Sequence, residues 1–275
     1  MNYLEKFAKY MKENEKSNNT INGYLSDLKQ LFAFLGKNAA MLTNDDIEGF
    51  KIHLVEQGLK INTINRKLVS IKQFVEFLNV ECGKSIHIRI KQERQQRQSF
   101  LDDTLDQNDF KRLVNATSAR SDARAKALFY TLYHTGARVS EMLQIKKSDI
   151  EHEYVWVKGK GDKHRQLFIS SKVRTSWIEY LKTRRNNSEY LFTGQRGAIN
   201  RQTVHNIIKE YARIAGVNEE KAHAHNFRHM FCKNLIDKGV SIDAVADLAG
   251  HSDINTTRVY TRKTRPELMA AINEL

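Results

Sequence analysis

The chain has 275 residues, and its 45 Lys and Arg against 32 Asp and Glu give a formal net charge of +13 at pH 7. A chain this basic usually meets a polyanion, and nucleic acid is the first candidate. Cys82 and Cys232 stand far apart, which indicates a reducing compartment and argues against a disulfide framework. The sequence shows no secretory signal and no long apolar run, so we expect a cytoplasmic protein without a membrane span.

Residues 1–85 predict a helical domain. Apolar residues recur at helical spacing in four segments. Gly36 is placed to end the second helix and Thr43 to cap the third, and the fourth is expected from about Asn62 to Glu81.

A basic segment over residues 86–100 is the best candidate for a linker between two domains. Its cationic side chains could follow a phosphate backbone, or they could simply be solvated. The candidate DNA contacts in this segment are Arg89, Lys91, Arg94 and Arg97.

Residues 101–275 predict a second, larger domain. Alternating apolar residues predict a β-hairpin from Tyr154–Lys158 and Arg165–Ile169, and Pro266 is well placed to start a last helix over residues 266–275. Helical spacing predicts further helices near residues 123–134, 171–184, 201–214, 226–238 and 242–248. The fold class is therefore mainly α with a small β-hairpin.

Both parts of the chain are basic. Residues 1–100 hold 16 basic and 11 acidic side chains, and residues 101–275 hold 29 and 21. This distribution fits two lobes that grip one duplex better than one DNA-binding module with a neutral partner domain.

Two of the candidate motifs present cations near turns. In TGARVSE, Arg138 follows a glycine turn at a predicted helix start, where it could meet an anion, and Glu141 could hold its guanidinium. An Arg–Glu pair at this spacing is more often a surface ion pair. In VKGKGDKHR, Lys160 at the hairpin tip could donate a proton to a leaving group, although a solvated turn is the ordinary interpretation. Lys158 and Lys163 are its neighbours and candidate DNA contacts.

Two further motifs supply histidines and a tyrosine. In HAHNFRH, His225 and Arg228 share a helix face and combine a proton carrier with a phosphate clamp. His225 and His229 also have metal-ligand spacing, but the carboxylate of HExxH is missing, so we disfavour a metal site. In LAGHSDINTTRVYT, His251 precedes Tyr260 by nine residues.

Taken together, these motifs resemble the tyrosine recombinases, or phage integrase family, of the Xer-like and transposon-resolution type. The family pattern is an Arg, a Lys, His-x-x-Arg, a His or Trp, and then a Tyr. This chain supplies the pattern in order with Arg138, Lys160, His225, Arg228, His251 and Tyr260. The motif resemblance covers about residues 100–265, and residues 1–85 match only in type, as a core-binding domain.

The resemblance implies a reaction that needs no metal and no nucleotide cofactor. Tyr260 would attack a scissile phosphate to form a 3′-phosphotyrosine, with Arg138 and Arg228 holding the negative charge. His225 would relay a proton and Lys160 would protonate the leaving 5′-oxygen. His251 would donate to a phosphate oxygen, while Glu141 and His229 would have supporting roles.

The resemblance also implies a two-domain, C-shaped clamp around double-stranded DNA. Four protomers would exchange strands between two sites through a Holliday junction, in integration, excision or resolution of a mobile element or replicon, and the free protein would be a monomer. The final helix could dock on a neighbouring protomer or on its own domain. The competing hypotheses are a topoisomerase-like nicking and closing enzyme and a non-catalytic DNA-binding regulator.

Overall fold

The computed structural model describes residues 3–36, 41–93, 104–159, 163–251, 253–261, 269 and 272–273. The chain divides into two compact units, Met1–Gln98 and Ser99–Leu275. Among the described residues, no helix is both long and apolar enough to cross a membrane.

The first unit contains four described helices, and its core consists of the apolar faces that the periodicity predicts. Ser17 caps the second helix, which ends at Gly36 in the left-handed conformation, and Thr43 forms a capping box with Asp46 at the third. Phe7 packs edge-on against Phe74 in the core. The helices are α1 (Tyr3–Glu13), α2 (Asn18–Leu35), α3 (Asn44–Glu56) and α4 (Ile61–Glu81).

A buried ionic network joins α2 to α4. Asp27 is 1% exposed and accepts from both terminal nitrogens of Arg66, at 2.6 and 2.7 Å. Lys67, also buried, donates to Asp27 at 3.2 Å, and the Ser70 hydroxyl donates to it at 2.7 Å. Because these partners satisfy one another, the charges can be buried between the helices.

Residues 84–93, which include the whole described part of the predicted linker, pack on the helices of the first unit. Ile86 is buried, and the Asn79 side chain bonds both its backbone N–H and its carbonyl. Asn65 makes the same pair of bonds to the backbone of Glu93. Side-chain amides therefore supply the hydrogen bonds that a neighbouring strand would supply to an extended segment.

The second unit is built around the helix α6 (Ala123–Thr135). This helix packs against α5 (Gln107–Ala119), α8 (Ser171–Thr183) and α10 (Ala224–Asp237), and the indole of Trp177 donates to the buried Thr131 hydroxyl at 2.8 Å. The elements are α5 (Gln107–Ala119), α6 (Ala123–Thr135), α7 (Val139–Met142), β1 (Tyr154–Lys158), β2 (His164–Phe168), α8 (Ser171–Thr183), β3 (Thr193–Gly194), β4 (Gly197–Ala198), α9 (Arg201–Ile214), α10 (Ala224–Asp237), α11 (Ile242–Ala249) and α12 (Asn255–Arg258).

The mainly helical class with a small hairpin is confirmed. Strands β1 and β2 pair antiparallel with Val157 opposite Arg165, and β2 begins one residue before the predicted start. The two-residue strands β3 and β4 were not predicted, because such short strands leave no periodic pattern in the sequence. Most of the predicted last helix lies outside the described residues.

We expect the change Asp27→Asn to destabilise the first unit by about 3–5 kcal/mol, because it leaves the Lys67 ammonium buried without its counter-charge. Hydrogen exchange of α2 and α4 peptides measures the effect. Both tryptophans, Trp156 and Trp177, lie in the second unit, so their fluorescence during urea unfolding is an internal control.

The double change Asp27→Leu with Lys67→Met should recover part of this loss, because it removes both buried charges together. The matched control is Lys9→Ala, whose pair with Glu13 is exposed and worth at most about 1 kcal/mol. Unchanged exchange in the Asp27→Asn variant would contradict the role of the network.

Candidate active site

Three guanidinium groups converge where α6 ends. Arg228 on α10 donates to the carbonyl oxygen of Gly136 at 2.8 Å, and Arg165 on β2 reaches the same oxygen at 3.4 Å. Arg138 is the N-cap residue of α7, two residues further along the chain. Gly136 has φ 59°, and a Cβ there would lie 2.4 Å from the ring of Phe231, so this turn requires glycine.

The carboxylate of Glu141 holds two of these guanidiniums together. Arg138 donates to Oε1 at 2.7 Å and Arg165 donates to Oε2 at 2.8 Å, while the backbone N–H of Arg138 also donates to Oε2. Glu141 is fully buried. Burial raises its pKa, but the bonds from Arg165 and Arg138 outweigh burial and leave the pKa below its ordinary value. The Glu141 side chain is therefore charged. Because its carboxylate is buried, the pair of Arg138 and Glu141 is not an ordinary surface ion pair.

Arg228 is 2% exposed, and its Nη2 has no hydrogen-bond partner among the described residues. Burial, followed by the charges of Arg138 and Arg165, lowers its pKa to about 10. An unpaired N–H on a buried cation is costly unless an acceptor arrives. The cluster is thus suited to an anion with several oxygen atoms, such as a phosphate.

His251 and Tyr260 lie side by side next to the arginines. Gly250 ends α11 with φ 66° and its carbonyl accepts from Arg138 at 3.2 Å, which places His251 at the cluster. The Nδ1 of His251 lies 2.8 Å from the Thr257 hydroxyl oxygen. The imidazole stacks on the Tyr260 ring, with centroids 6.2 Å apart and planes 16° apart.

The phenol of Tyr260 is 3% exposed and packs with Cys232 of α10 and with two side chains of α11, Val245 and Ala249. Burial and the Cys232 thiol raise the pKa of Tyr260 well above its ordinary value. Burial also raises the pKa of Cys232 to about 11. Both groups are therefore protonated at neutral pH.

His225 and His229 extend this cluster along α10. The centroid of the His225 ring lies 4.3 Å from that of His229, and the His229 centroid lies 5.1 Å from that of the Tyr260 ring. Burial lowers the pKa of His229 to about 4, and it also lowers that of His225, where Arg228 adds to the effect. The imidazoles are therefore neutral near pH 7.

The arrangement does not complete the metal site that the spacing of His225 and His229 left open. Within the described ranges, no group of three or more His, Cys, Asp or Glu side chains is arranged to hold a metal ion. The Nδ1 of His229 is buried and has no partner among the described residues.

The structure thus brings together Arg138, Glu141, Arg228, His251 and Tyr260, with His225 and His229 beside them. Of the remaining predicted residues, Lys160, Arg94 and Arg97 lie outside the described residues. The exposed ones are Lys158 and Lys163 in the hairpin, and Arg89 and Lys91 on the first unit.

Arg165 and Cys232 belong to the cluster but were not predicted from the sequence. Arg165 ends the motif VKGKGDKHR, whose composition is typical of a solvated turn, so a buried position was not predicted for it. Strand alternation contained the signal, because Arg165 is two residues from the buried Leu167 and lies opposite the buried Val157, on the inner face of the hairpin. Cys232 carries no comparable signal beyond its place one turn after Arg228.

Known proteins match this chain along nearly its whole length. Residues 103–267 match the phage integrase family model, and residues 4–81 match the model of the phage integrase N-terminal SAM-like domain. Tyrosine recombinase XerD of Rickettsia bellii is 31% identical over 99% of this chain and 97% of its own. TnP I resolvase of Bacillus thuringiensis is 30% identical over 98% of each chain.

Solved structures share the fold. The XerH site-specific recombinase in its post-cleavage complex with difH substrate aligns with a TM-score of 0.74 at 23% identity, over 98% of this chain and 83% of that one. A lambda integrase dimer bound to a COC' core site aligns with a TM-score of 0.75 at 17% identity, over 96% and 95%. From these family models and relatives, the chain belongs to the phage integrase family, the tyrosine recombinases.

Proposed function

We propose that this chain is a site-specific DNA recombinase that cleaves and rejoins strands through a 3′-phosphotyrosine on Tyr260. The observation that carries the proposal is the buried guanidinium of Arg228, whose Nη2 is unpartnered among the described residues, in the same cluster as Arg138 and the His251–Tyr260 stack. A phosphodiester supplies the acceptor oxygens that the unpaired N–H of Arg228 lacks. The names of the relatives support the same class of reaction.

The arginines act on the transition state. When Tyr260 attacks the phosphorus, a new O–P bond forms, the bond to the 5′-oxygen breaks, and negative charge grows on the non-bridging oxygens. Arg138 and Arg228 are already oriented by Glu141 and by the Gly136 carbonyl, so little reorganisation is needed. Loss of one such donor typically costs about 2.7–4 kcal/mol of barrier.

Proton transfer falls to the neighbouring neutral and cationic side chains. His225 is the proton relay from the Tyr260 phenol, with His229 between their rings. His251 donates to a phosphate oxygen, with its ring oriented by Thr257. Lys160 gives the proton to the leaving 5′-oxygen. Rejoining reverses these steps, and the phosphotyrosine conserves the bond energy without a nucleotide.

The buried phenol implies a step before cleavage. Tyr260 is 3% exposed, so a DNA phosphate reaches its oxygen only after the short turn Val259–Thr261 moves. The phenol then leaves its contact with Cys232 and becomes a nucleophile in the positive field of the arginines.

Recombination extends this chemistry to two DNA sites in the cytoplasm. The protein acts as a tetramer on DNA, exchanges one strand pair at a time through a Holliday junction, and contacts the duplex with Arg89, Lys91, Arg94, Arg97, Lys158 and Lys163. The biological setting is integration, excision or resolution of a mobile element or replicon.

The change Tyr260→Phe should abolish a covalent protein–DNA adduct, because it removes the attacking oxygen. The assay incubates the protein with nicked duplexes tiled from the DNA that flanks the gene and then denatures it in detergent. The matched control is Tyr154→Phe, an exposed tyrosine on the hairpin, which should leave the adduct intact. Adduct in the Tyr260→Phe variant would refute the assignment of the nucleophile, and tight binding without adduct in wild type would favour a non-catalytic regulator.

DNA binding should weaken steeply with salt, because bound phosphates release counterions. The double change Arg89→Gln with Lys91→Gln should reduce the slope of log affinity against log salt by about 0.9 for each phosphate contact that is lost. Fluorescence anisotropy of a labelled duplex at several salt concentrations measures the slope. Lys9→Gln is the control, because that ammonium already pairs with Glu13. A flat salt dependence in wild type would contradict the proposed contacts.

The second unit should lose stability below about pH 6.5, the ordinary value for an unfolded histidine. Because the folded pKa of His229 is lowered to about 4, the unfolded chain binds the extra proton between these values, and stability falls with the pH. Urea unfolding followed by tryptophan fluorescence measures the free energy of unfolding. The decrease in this free energy between pH 7.5 and 5 should be about 1–2 kcal/mol smaller in His229→Gln than in wild type. The exposed His87 in the first unit supplies the control, His87→Gln, and equal pH dependence in all three proteins would refute the argument.

A further inference from the structure

We propose that Arg165 is a positioning residue that braces the phosphate-binding cluster from the β-hairpin. This inference rests on the proposed function, because its main consequence is for DNA cleavage.

The register of the hairpin directs Arg165 inward. It lies opposite Val157 and on the same face as Leu167, and both of those side chains are buried in the core of the second unit. The side chain of Arg165 is only 12% exposed. A buried guanidinium at this position needs acceptors, and three separate segments supply them.

The guanidinium joins the hairpin to three chain segments. Nη2 donates to Glu141 of α7 at 2.8 Å and to the Gly136 carbonyl at the end of α6 at 3.4 Å. Nη1 donates to the carbonyl of Leu248, in the last turn of α11, at 2.6 Å. This carbonyl is one of those that a helix end leaves without an internal partner. One side chain therefore fixes the segments that present Arg138 and His251.

The space above Gly250 is shaped for this side chain. A Cβ on Gly250 would lie 2.4 Å from Cδ and 2.9 Å from Nε of Arg165, so the arginine occupies the position where another residue would carry its side chain. Gly250 directly precedes His251, and its own carbonyl accepts from Arg138. Arg165 and Gly250 thus form a complementary pair at the base of the cluster.

The hydrogen bonds indicate that Arg165 acts through its neighbours. Both of its terminal nitrogens already donate to protein acceptors, whereas Nη2 of Arg228 has no partner among the described residues. Nε of Arg165 also has no partner there, but it lies against Gly250, 2.9 Å from the position that a Cβ would take. The bond to Glu141 also helps to lower the pKa of that carboxyl, so that it stays ionised and holds Arg138. Arg165 therefore orients the groups that touch the phosphate without touching it.

The test compares Arg165→Ala and Arg165→Lys with wild type in single-turnover cleavage of a nicked duplex and in duplex binding. We expect both variants to cleave saturating DNA about 10- to 100-fold more slowly, because small displacements of oriented groups cost that much. The duplex Kd should stay within about twofold of wild type if Arg165 does not contact DNA. Lysine should not rescue the rate, because an ammonium cannot replace the planar fork that bridges Glu141 and Leu248. Full rescue by lysine, or wild-type cleavage by Arg165→Ala, would overturn the proposal.

The matched control is Arg174→Ala. Arg174 lies on α8 in the same unit and donates to the carbonyl of His152, so its loss should leave cleavage unchanged. Tryptophan fluorescence during urea unfolding shows whether each variant is folded at the assay temperature. A cleavage loss as large in Arg174→Ala would reduce the effect to general destabilisation and overturn the proposal.

A double-mutant cycle tests the pair directly. Gly250→Ala should slow cleavage in wild type, because the new Cβ displaces the Arg165 side chain. Gly250→Ala should slow cleavage much less in the Arg165→Ala background, where only the left-handed φ of residue 250 disfavours the alanine. Equal fold-losses in the two backgrounds would show that the residues are uncoupled and overturn the proposal.

An activity-independent measurement separates this proposal from the proposed function. Arg165→Ala should speed amide hydrogen exchange in peptides over residues 246–258, whereas Arg174→Ala should not. If wild type forms no adduct with DNA, the proposed function fails while this exchange experiment still decides whether Arg165 is a brace. Unchanged exchange in Arg165→Ala would overturn it.

Discussion

The site depends on the hydrogen-bonded ion pairs of Glu141. Its buried carboxylate accepts from the guanidiniums of both Arg138 and Arg165. Arg138, Arg165 and Arg228 gathered at one helix end repel one another, and the repulsion grows as water is excluded. Glu141 offsets part of that charge and is itself stable in the interior only because the guanidiniums bond both of its oxygens. The cluster keeps a positive excess, which is available to a phosphate.

Two helix ends determine where this charge can gather. α6 ends at Gly136 and α11 ends at Gly250, both with left-handed backbone, and each places a carbonyl oxygen within reach of the arginines. At both positions a Cβ would meet a neighbour, the Phe231 ring in one case and the Arg165 side chain in the other. The glycines are therefore required by packing as well as by φ, and they connect the helical fold to the geometry of the site.

Local features made most of the fold and much of the site predictable. Caps such as Thr43 and helical spacing identified the helices, and the order of the motifs identified the residues that the fold brings together. Contacts between distant segments were not predictable. Nothing in the sequence of α10 indicates that Cys232 packs against Tyr260. The basic residues around Lys160 are typical of a solvated turn, so the inward direction of Arg165 was not predicted. Burial of Tyr260 likewise depends on the fold of α10 and α11 around it.

The cations of this cluster also help to keep the neighbouring imidazoles neutral. Burial comes first, but the charges of Arg228 and Arg138 further lower the pKa of His225 and of His251, so both imidazoles are neutral at pH 7. In the proposed mechanism, the neutral imidazole of His225 accepts the proton that Tyr260 loses. When a phosphate binds, its negative charge compensates the arginines and raises the imidazole pKa at the moment when a proton has to be taken up. In the proposed mechanism, binding of the substrate and activation of Tyr260 are thus coupled through one set of charges.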